Sequence, residues 1–275
     1  REWATVGGMV ANNGAGEKTL KYGQNKDFVK SLKVILDDGN EYLIEPIPKA
    51  VLEAKILEDN RQGEIYRKVW NLLKRNQDEI QLAKPKTSKN SSGYLLADIW
   101  NPNTEIFDPT HIFIGAQGTT GVITEITYKL IKNENHSKLL VIFLKDIKQI
   151  PELAHTLLQN DLETLEVYDD NTLKFAVKFF GSFLKDKGVG GMLRYAWQFM
   201  PEFFMVLTGG MPKLIVLAEF VSDNEEGLER EAKIAQDRIK KLKLKTRITK
   251  NKEERDKYLS IRRDSFKLLS DHSKA

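Results

Sequence analysis

The chain has 275 residues, with 43 Lys and Arg against 39 Asp and Glu, and 41% of its residues are hydrophobic. This composition is typical of a folded globular chain and excludes collagen-like, mucin-like and low-complexity sequences. The chain contains no cysteine, which excludes disulfides, thiolate zinc sites, cysteine-bound iron–sulfur clusters and thiol nucleophiles and favours a reducing, cytoplasmic setting.

The first part of the chain predicts a β-hairpin followed by helices. Five glycines come first, and clusters of this kind mark backbone that turns sharply or approaches a neighbour closely. They are Gly7, Gly8, Gly14, Gly16 and Gly23. Ser31–Leu36 and Glu41–Glu45 then flank a turn at Asp37–Asn40, which is a hairpin pattern. Lys49–Ala83 has apolar residues at three-to-four spacing and predicts two short helices, interrupted near Asn60–Gly63.

A second glycine cluster lies near the middle of the chain, at Gly115, Gly118 and Gly121. The polar stretch Lys84–Gly93 before it predicts a loop. Apolar runs on either side of the cluster, His111–Ile114 and Gly121–Leu130, predict two strands. Near Glu134–Ser137 the sequence changes from segments rich in glycine to alternating predicted strands and helices, and we expect a domain boundary there.

The second half alternates predicted strands and helices with few glycines. The strands are Leu139–Leu144, Thr164–Tyr168, Leu214–Phe220 and Leu242–Ile248, and the helices are Ile150–Asn160, Asn171–Leu184, Asn224–Lys241 and Lys252–Leu269. This order predicts a split βαβ, ferredoxin-like sheet with helices on one face, and therefore an α+β fold.

Neither glycine cluster fits a common nucleotide motif. Gly14–Thr19 resembles a Walker loop, but Glu17 separates the glycine from Lys18. Gly115–Gly121 precedes a strand instead of opening a helix, so the helix dipole of a Rossmann site is absent. Plain turns remain the alternative for each cluster taken alone.

Together, the two clusters resemble the FAD-linked oxidase family of vanillyl-alcohol-oxidase-type flavoproteins. The resemblance rests on ATVGGMVANNGAGEKTLKYG near the start and GAQGTTGVITEITYKL later, with Ser92-Gly93-Tyr94 between them. LEVYDD, LIVLAEFVSDNEEG and YLSIRRDSFKLL resemble the family's substrate lobe, in its bacterial glycolate oxidase and D-2-hydroxyacid or D-lactate dehydrogenase branch. Two positions depart from the family pattern, with Lys21 in place of Arg and Gln117 in place of Glu.

The resemblance implies an α+β protein of two parts. Residues 1–134 would be an FAD-binding domain without its N-terminal phosphate-binding subdomain. Residues 135–275 would be a ferredoxin-like substrate (cap) domain without its C-terminal part. The chain is accordingly expected to be an internal fragment that is inactive alone.

The cofactor implied is FAD. Its long, polyanionic shape calls for side-chain-free backbone N–H groups and short hydroxyl and amide donors. The implied cofactor-binding residues are Thr5, Gly7, Gly8, Asn12, Asn13, Gly14, Gly16, Gly118, Gly121, Val122 and Ile123. Gly7–Gly16 would lie along the isoalloxazine and ribityl side, and Gly121–Ile123 would lie at the adenine end.

For the substrate, the resemblance implies that Arg262 grips the carboxylate of a small 2-hydroxyacid, because a guanidinium donates to two oxygens at once. Arg263 is the rival, and a solvated surface charge is the alternative for both. We assign no catalytic residue and no metal ligand in this chain. The four histidines, His111, His136, His155 and His272, have no metal-ligand spacing and are interpreted as structural or surface residues.

The predicted function is oxidation of a small D-2-hydroxycarboxylate, such as lactate, glycolate or 2-hydroxyglutarate, by hydride transfer to flavin. The alternatives are a non-catalytic flavin-fold scaffold or electron-transfer partner, and a sugar or aryl-alcohol oxidase. The electron acceptor is not assigned. The aromatic and basic residues of 179–211 suggest peripheral contact with the inner face of a membrane, with core packing or an oligomer contact as alternatives. No nucleic-acid-binding module is visible, so nucleic acid is not expected as a partner.

Overall fold

The structure is a computed structural model that describes residues 4–172 and 210–261. The chain forms two compact units, Arg1–Lys132 and Asn133–Ala275. Arg262, His272 and residues 179–209 lie outside the described residues, as do most of the predicted helix 171–184 and the end of the predicted helix 252–269.

The first unit mixes short helices with two three-stranded antiparallel sheets. Its helices are α1 (Val6–Ala11), α2 (Thr19–Tyr22), α3 (Lys49–Lys55), α4 (Arg61–Arg75), α5 (Gln77–Ala83) and α6 (Leu96–Ile99). Its strands are β1 (Val29–Ile35), β2 (Glu41–Ile44), β3 (Ile47–Pro48), β4 (Trp100–Asn101), β5 (Ile106–Phe107) and β6 (Val122–Tyr128). The sheet β3–β5–β4 consists of two-residue strands, and the sequence analysis missed it.

The predicted hairpin is confirmed. β1 pairs with β2 from Leu32 opposite Ile44 to Ile35 opposite Glu41, and β6 pairs along the other side of β1. Leu32 and Val34 are buried because alternate residues of β1 face the core. β6 is thus an edge strand of this sheet, and the strand predicted at Gly121–Leu130 is confirmed.

The helical region has three helices where two were predicted. α4 begins at Arg61 because Asn60 caps it, its side-chain oxygen accepting from the Gly63 amide at 2.8 Å. The interruption near Asn60–Gly63 is therefore a helix start, and a second break at Asn76 separates α4 from α5.

The strand predicted at His111–Ile114 is wrong. Pro109–Ile112 forms a 3₁₀ turn, with proline in its first turn and the Asp108 carboxylate accepting from the Thr110 amide at 3.0 Å. Proline and a capping aspartate favour this turn over a strand despite the apolar residues that follow. The predicted loop at Lys84–Gly93 is confirmed.

The second unit is a four-stranded antiparallel sheet in the order β10–β7–β9–β8. Its strands are β7 (His136–Leu144), β8 (Thr164–Asp169), β9 (Leu214–Ser222) and β10 (Lys245–Ile248), and its labelled helices are α7 (Ile150–Leu157) and α8 (Glu225–Arg238). In chain order of the strands this is 4-1-3-2, the ferredoxin-like arrangement. The predicted α+β class and the ferredoxin-like lobe are confirmed.

Helices cover both faces of this sheet, whereas the sequence predicted one face. Leu140 and Ile142 of β7 pack with residues of α7 and α8. Leu139 and Val141 point to the opposite face and pack with Tyr258 of a helix over residues 252–261. The continuous apolar run of β7 is therefore buried on both sides.

Candidate functional site

The first glycines lie in the first turn of α1. The hydroxyl of Thr5 caps this helix and accepts from the Gly8 amide at 3.1 Å. Gly7 and Gly8 are exposed, so no side chain covers the main chain at this end of the helix. The amides of a first helical turn have no acceptor within the helix, and Thr5 satisfies the one at Gly8.

The glycines of the site fall into two kinds. At Gly7, Gly16 and Gly118, an added Cβ would meet nothing within 4 Å, so these positions border open space. At Gly8, an added Cβ would lie 2.9 Å from the Thr5 hydroxyl, and at Gly121 it would lie 2.7 Å from Cγ1 of Val34. At Gly121 the Ile35 carbonyl also lies 3.0 Å from the added Cβ, so the fold leaves no room for a side chain there, whereas at Gly8 the neighbour is the hydroxyl that caps α1.

Asn13 is a structural centre of the first glycine segment. It is 1% exposed and has φ of 45°, in the left-handed region that asparagine tolerates better than most residues. Its side-chain nitrogen donates to the Asn90 carbonyl at 3.1 Å, and its side-chain oxygen accepts from the Lys26 amide at 3.0 Å. Both side-chain heteroatoms of Asn13 thus bind protein main chain and hold this turn in shape, and its predicted cofactor contact stays a prediction.

The structure brings the two glycine segments into direct contact. The Gly115 amide donates to the Val10 carbonyl at 3.0 Å, and the Gln117 amide donates to the Ala11 carbonyl at 2.9 Å. Val10 is fully buried in the core of the first unit, which fixes the end of α1 there. Main-chain hydrogen bonds therefore join the two segments, and both carry exposed glycines of the kind that a flavin dinucleotide requires.

A third segment, the Ser92-Gly93-Tyr94 region, joins them through Gln24. The side-chain amide of Gln24 donates to the Asn13 carbonyl at 2.9 Å, and its oxygen accepts from the Asn90 amide at 2.8 Å. The Tyr94 hydroxyl lies 2.9 Å from the Thr119 hydroxyl. Sequence reasoning missed Gln24, and no local pattern marks it, because its partners lie 11 and 66 residues away.

The remaining predicted cofactor residues are Asn12, Gly14, Val122 and Ile123. Asn12 is the exposed C-cap of α1. The Gly14 carbonyl accepts a hydrogen bond from the side-chain amide of Asn25 at 2.8 Å. Val122 is 64% exposed at the start of β6, and Ile123 packs against the core. Their cofactor contacts stay predictions.

His111 is a largely buried histidine of the first unit. Burial lowers its pKa, and the carboxylate of Asp108, 3.5 Å from Nε2, opposes that effect. Its Nδ1 is buried without a hydrogen-bond partner. Within the part of the chain that the structure describes, His111 belongs to no group of three metal-ligating side chains.

The fold and the joined glycine segments resemble the FAD-binding region of vanillyl-alcohol-oxidase-type flavoproteins. Residues 1–43 match the family model of the FAD binding domain. The resemblance to the FAD-linked oxidase family and the prediction of FAD as its cofactor are thereby confirmed.

Two curated relatives and one solved structure illustrate the similarity of the chain to known proteins. It is 30% identical over 122 residues to D-2-hydroxyglutarate dehydrogenase of Pantoea ananatis, a match that covers 44% of this chain and 12% of the relative. It is 28% identical over 169 residues to D-lactate dehydrogenase of Archaeoglobus fulgidus, covering 60% and 26%. A solved alkyldihydroxyacetonephosphate synthase aligns with a TM-score of 0.54 at 16% identity, covering 97% of this chain and 38% of that one.

The chain therefore spans about an eighth to a quarter of the length of these two curated relatives. The solved structure supports the fold alone. Among the helices of residues 4–172 and 210–261, none is long and apolar enough to cross a membrane.

Proposed function

We propose that the chain is part of an FAD-dependent dehydrogenase that oxidises a small D-2-hydroxycarboxylate, such as 2-hydroxyglutarate, lactate or glycolate. The observation that carries this proposal is the contact between the two glycine segments at Val10–Gly115 and Ala11–Gln117. The FAD binding domain match and the names of the relatives supply the cofactor and the substrate class.

When bound, FAD supplies the acceptor for the hydride that leaves the carbinol carbon of the substrate. The chain's own part is to hold the cofactor. Gly7, Gly16 and Gly118 leave the main chain accessible. The hydrogen bonds of Asn13 and Gln24 fix the turn that follows α1. Gly121–Ile123 is proposed to lie along the adenine end, where β6 begins.

Arg262 is proposed to hold the substrate carboxylate, with Arg263 as the rival. Both lie outside the described residues and are proposed on the resemblance of YLSIRRDSFKLL alone. No residue of this chain is assigned as the base that takes the hydroxyl proton, and the electron acceptor is not assigned. Peripheral membrane contact through 179–211 remains a proposal from sequence.

The test uses the longest natural polypeptide that contains these 275 residues. We expect it to purify with flavin, and D-2-hydroxyglutarate, D-lactate or glycolate should bleach the flavin absorbance under anaerobic conditions. The L-enantiomers of the two chiral acids are the matched controls and should not bleach it. Flavin that is bleached by a sugar or an aryl alcohol but by none of these acids would contradict the proposed substrate class.

A further inference from the structure

A cavity of about 250 Å³ lies at one end of the sheet of the second unit. It is located where β10 begins beside the end of β7, with Lys245 paired to Phe143. Its lining includes four apolar side chains, Phe143, Pro212, Leu242 and Leu244. Three lysines, Lys145, Lys243 and Lys245, also line it. The lining of the cavity therefore combines apolar residues with three lysines.

These lysines differ from the lysines next to them. Nζ of Lys241 lies 3.0 Å from a carboxylate oxygen of Glu152. Nζ of Lys213 lies 3.8 Å from a carboxylate oxygen of Asp170. Lys145, Lys243 and Lys245 are exposed, and in the described ranges none of them has a carboxylate within ion-pair distance. Three like charges around one cavity repel each other, so an anion placed among them would be stabilised by all three.

The backbone around the cavity holds two of the lysines in place. Lys243 has φ of 52°, in the left-handed region that favours glycine or asparagine, directly after a 3₁₀ turn at Lys240–Leu242. The side chain of Gln149 donates to the Leu242 carbonyl at 3.5 Å. The backbone before Lys145 is fixed because the Leu144 carbonyl accepts from the Lys213 amide at 2.7 Å.

We propose that this cavity binds a phosphomonoester, with Lys145, Lys243 and Lys245 as its ligands. A phosphomonoester carries close to two negative charges and three terminal oxygens, which gives one oxygen to each ammonium group. A carboxylate has one charge and two oxygens and would leave a lysine unpaired. The apolar side chains would contact the organic part of the ligand. Its source is either a soluble phosphate ester or the headgroup of phosphatidic acid.

The first test titrates the full 275-residue chain with phenyl phosphate by calorimetry at pH 8, where the phosphate is doubly charged. Benzoate, with the same ring and one charge, is the matched control ligand. We expect phenyl phosphate to bind more tightly than benzoate. The variant Lys145→Gln, Lys243→Asn, Lys245→Gln should weaken phenyl phosphate binding by about tenfold or more. Asparagine is used at position 243 because it tolerates a positive φ.

A control variant separates this site from general surface charge. Lys233→Gln, Lys250→Gln, Lys252→Gln removes the same charge from exposed lysines that do not line the cavity. It should bind phenyl phosphate as the unmodified chain does. Equal weakening in both variants, equal affinity for benzoate, or no binding by the unmodified chain would overturn the proposal.

A second measurement needs no variant and decides the matter if the triple variant does not fold. Phenyl phosphate should slow the acetylation of Lys145, Lys243 and Lys245 in the unmodified chain, read by peptide mass spectrometry, and leave Lys250 unchanged. Acetylation that is equally fast with and without the ligand overturns the proposal.

Flotation with vesicles then identifies the source of the phosphate. Binding to phosphatidylcholine vesicles that contain phosphatidic acid, lost in the cavity variant and kept in the control variant, supports a lipid headgroup. Binding of phenyl phosphate without binding to those vesicles supports a soluble phosphate ester. Flotation that the two variants lose equally counts against a lipid headgroup in this cavity.

Discussion

The side chain of Gln24 bridges the Asn13 carbonyl and the Asn90 amide, at 2.9 and 2.8 Å. Gln24 is 3% exposed, and its own main-chain amide donates to the Asp27 carboxylate at 2.7 Å. One buried amide therefore ties the turn after α1 to the loop before α6. The bridge thus helps to fix the end of the first glycine segment.

We expect Gln24→Leu to destabilise the first unit by about 1–3 kcal/mol, because it removes the acceptor of the partly buried Asn90 amide and leaves the Asn13 carbonyl only the longer contact from the Ser91 hydroxyl. Hydrogen exchange should show faster exchange at Asn90, whose amide loses its acceptor. Gln81→Leu, at an exposed position on α5, is the matched control and should change neither measurement. Unchanged exchange at Asn90 in Gln24→Leu would show that the loop is held by other contacts.

Two glycines separate a cofactor role from a folding role. Gly7→Val should leave the unfolding temperature within a few degrees of the unmodified protein and abolish flavin retention, because the new side chain fills open space beside the helix. Gly121→Ala should destabilise the fold by about 1–3 kcal/mol, because its Cβ would lie 2.7 Å from Val34 and 3.0 Å from the Ile35 carbonyl. Thermal melts and flavin absorbance per protein, in the longest polypeptide, measure both effects.

Gly8 is a poorer probe than Gly7. Its added Cβ would displace the Thr5 hydroxyl that caps α1, so a substitution there changes the helix end and the cofactor surface together. A Gly7→Val protein that keeps its full flavin content would place the cofactor away from α1.

Local patterns in the sequence were sufficient to predict much of the fold. The hairpin could be predicted because Ser31–Leu36 and Glu41–Glu45 flank a turn at Asp37–Asn40, and β7 could be predicted because Leu139–Leu144 is an unbroken apolar run. The 3₁₀ turn at Pro109–Ile112 was missed because Ile112, Phe113 and Ile114 form an apolar run that also fits a strand. There the Asp108 cap and the proline determine the backbone.

The sequence was sufficient to predict the motifs of the candidate site but not the contacts between them. The resemblance identified both glycine segments, and the structure joins them through backbone bonds between residues about a hundred positions apart. Gln24 could not be identified from sequence, because its function depends on where the Lys84–Gly93 loop folds back. The distinction between Gly7 and Gly121 likewise depends on neighbours that are distant in the chain.

His111 should make the stability of the first unit depend on pH. Burial lowers its pKa below the ordinary value of 6.5, so the native state holds the neutral form while the unfolded state takes up a proton first. The stability that His111 contributes is complete above about pH 6.5 and is lost as the pH falls toward the folded pKa, with a slope of at most about 1.4 kcal/mol per pH unit.

Urea unfolding of His111→Phe between pH 5 and 8 should therefore show a flatter pH dependence than the unmodified chain. His155→Gln, at an exposed position in the second unit, is the control and should keep the original slope. Equal slopes in His111→Phe and the unmodified chain would assign the pH dependence to other groups.

Arg262→Lys tests the proposed carboxylate contact. In the longest polypeptide we expect kcat/KM for the preferred D-2-hydroxyacid to fall by about one to three decades, because lysine keeps the charge but cannot donate from two nitrogens to one carboxylate. Arg263→Lys is the matched control at the adjacent position and should lower kcat/KM little.

A primary alcohol that lacks the carboxylate separates this contact from a general loss of activity, since its slow oxidation should be the same in the unmodified protein and in the Arg262→Lys variant. A loss in Arg263→Lys with none in Arg262→Lys would move the contact to Arg263, and an equal loss with the alcohol would show that Arg262 acts on the fold instead of the substrate.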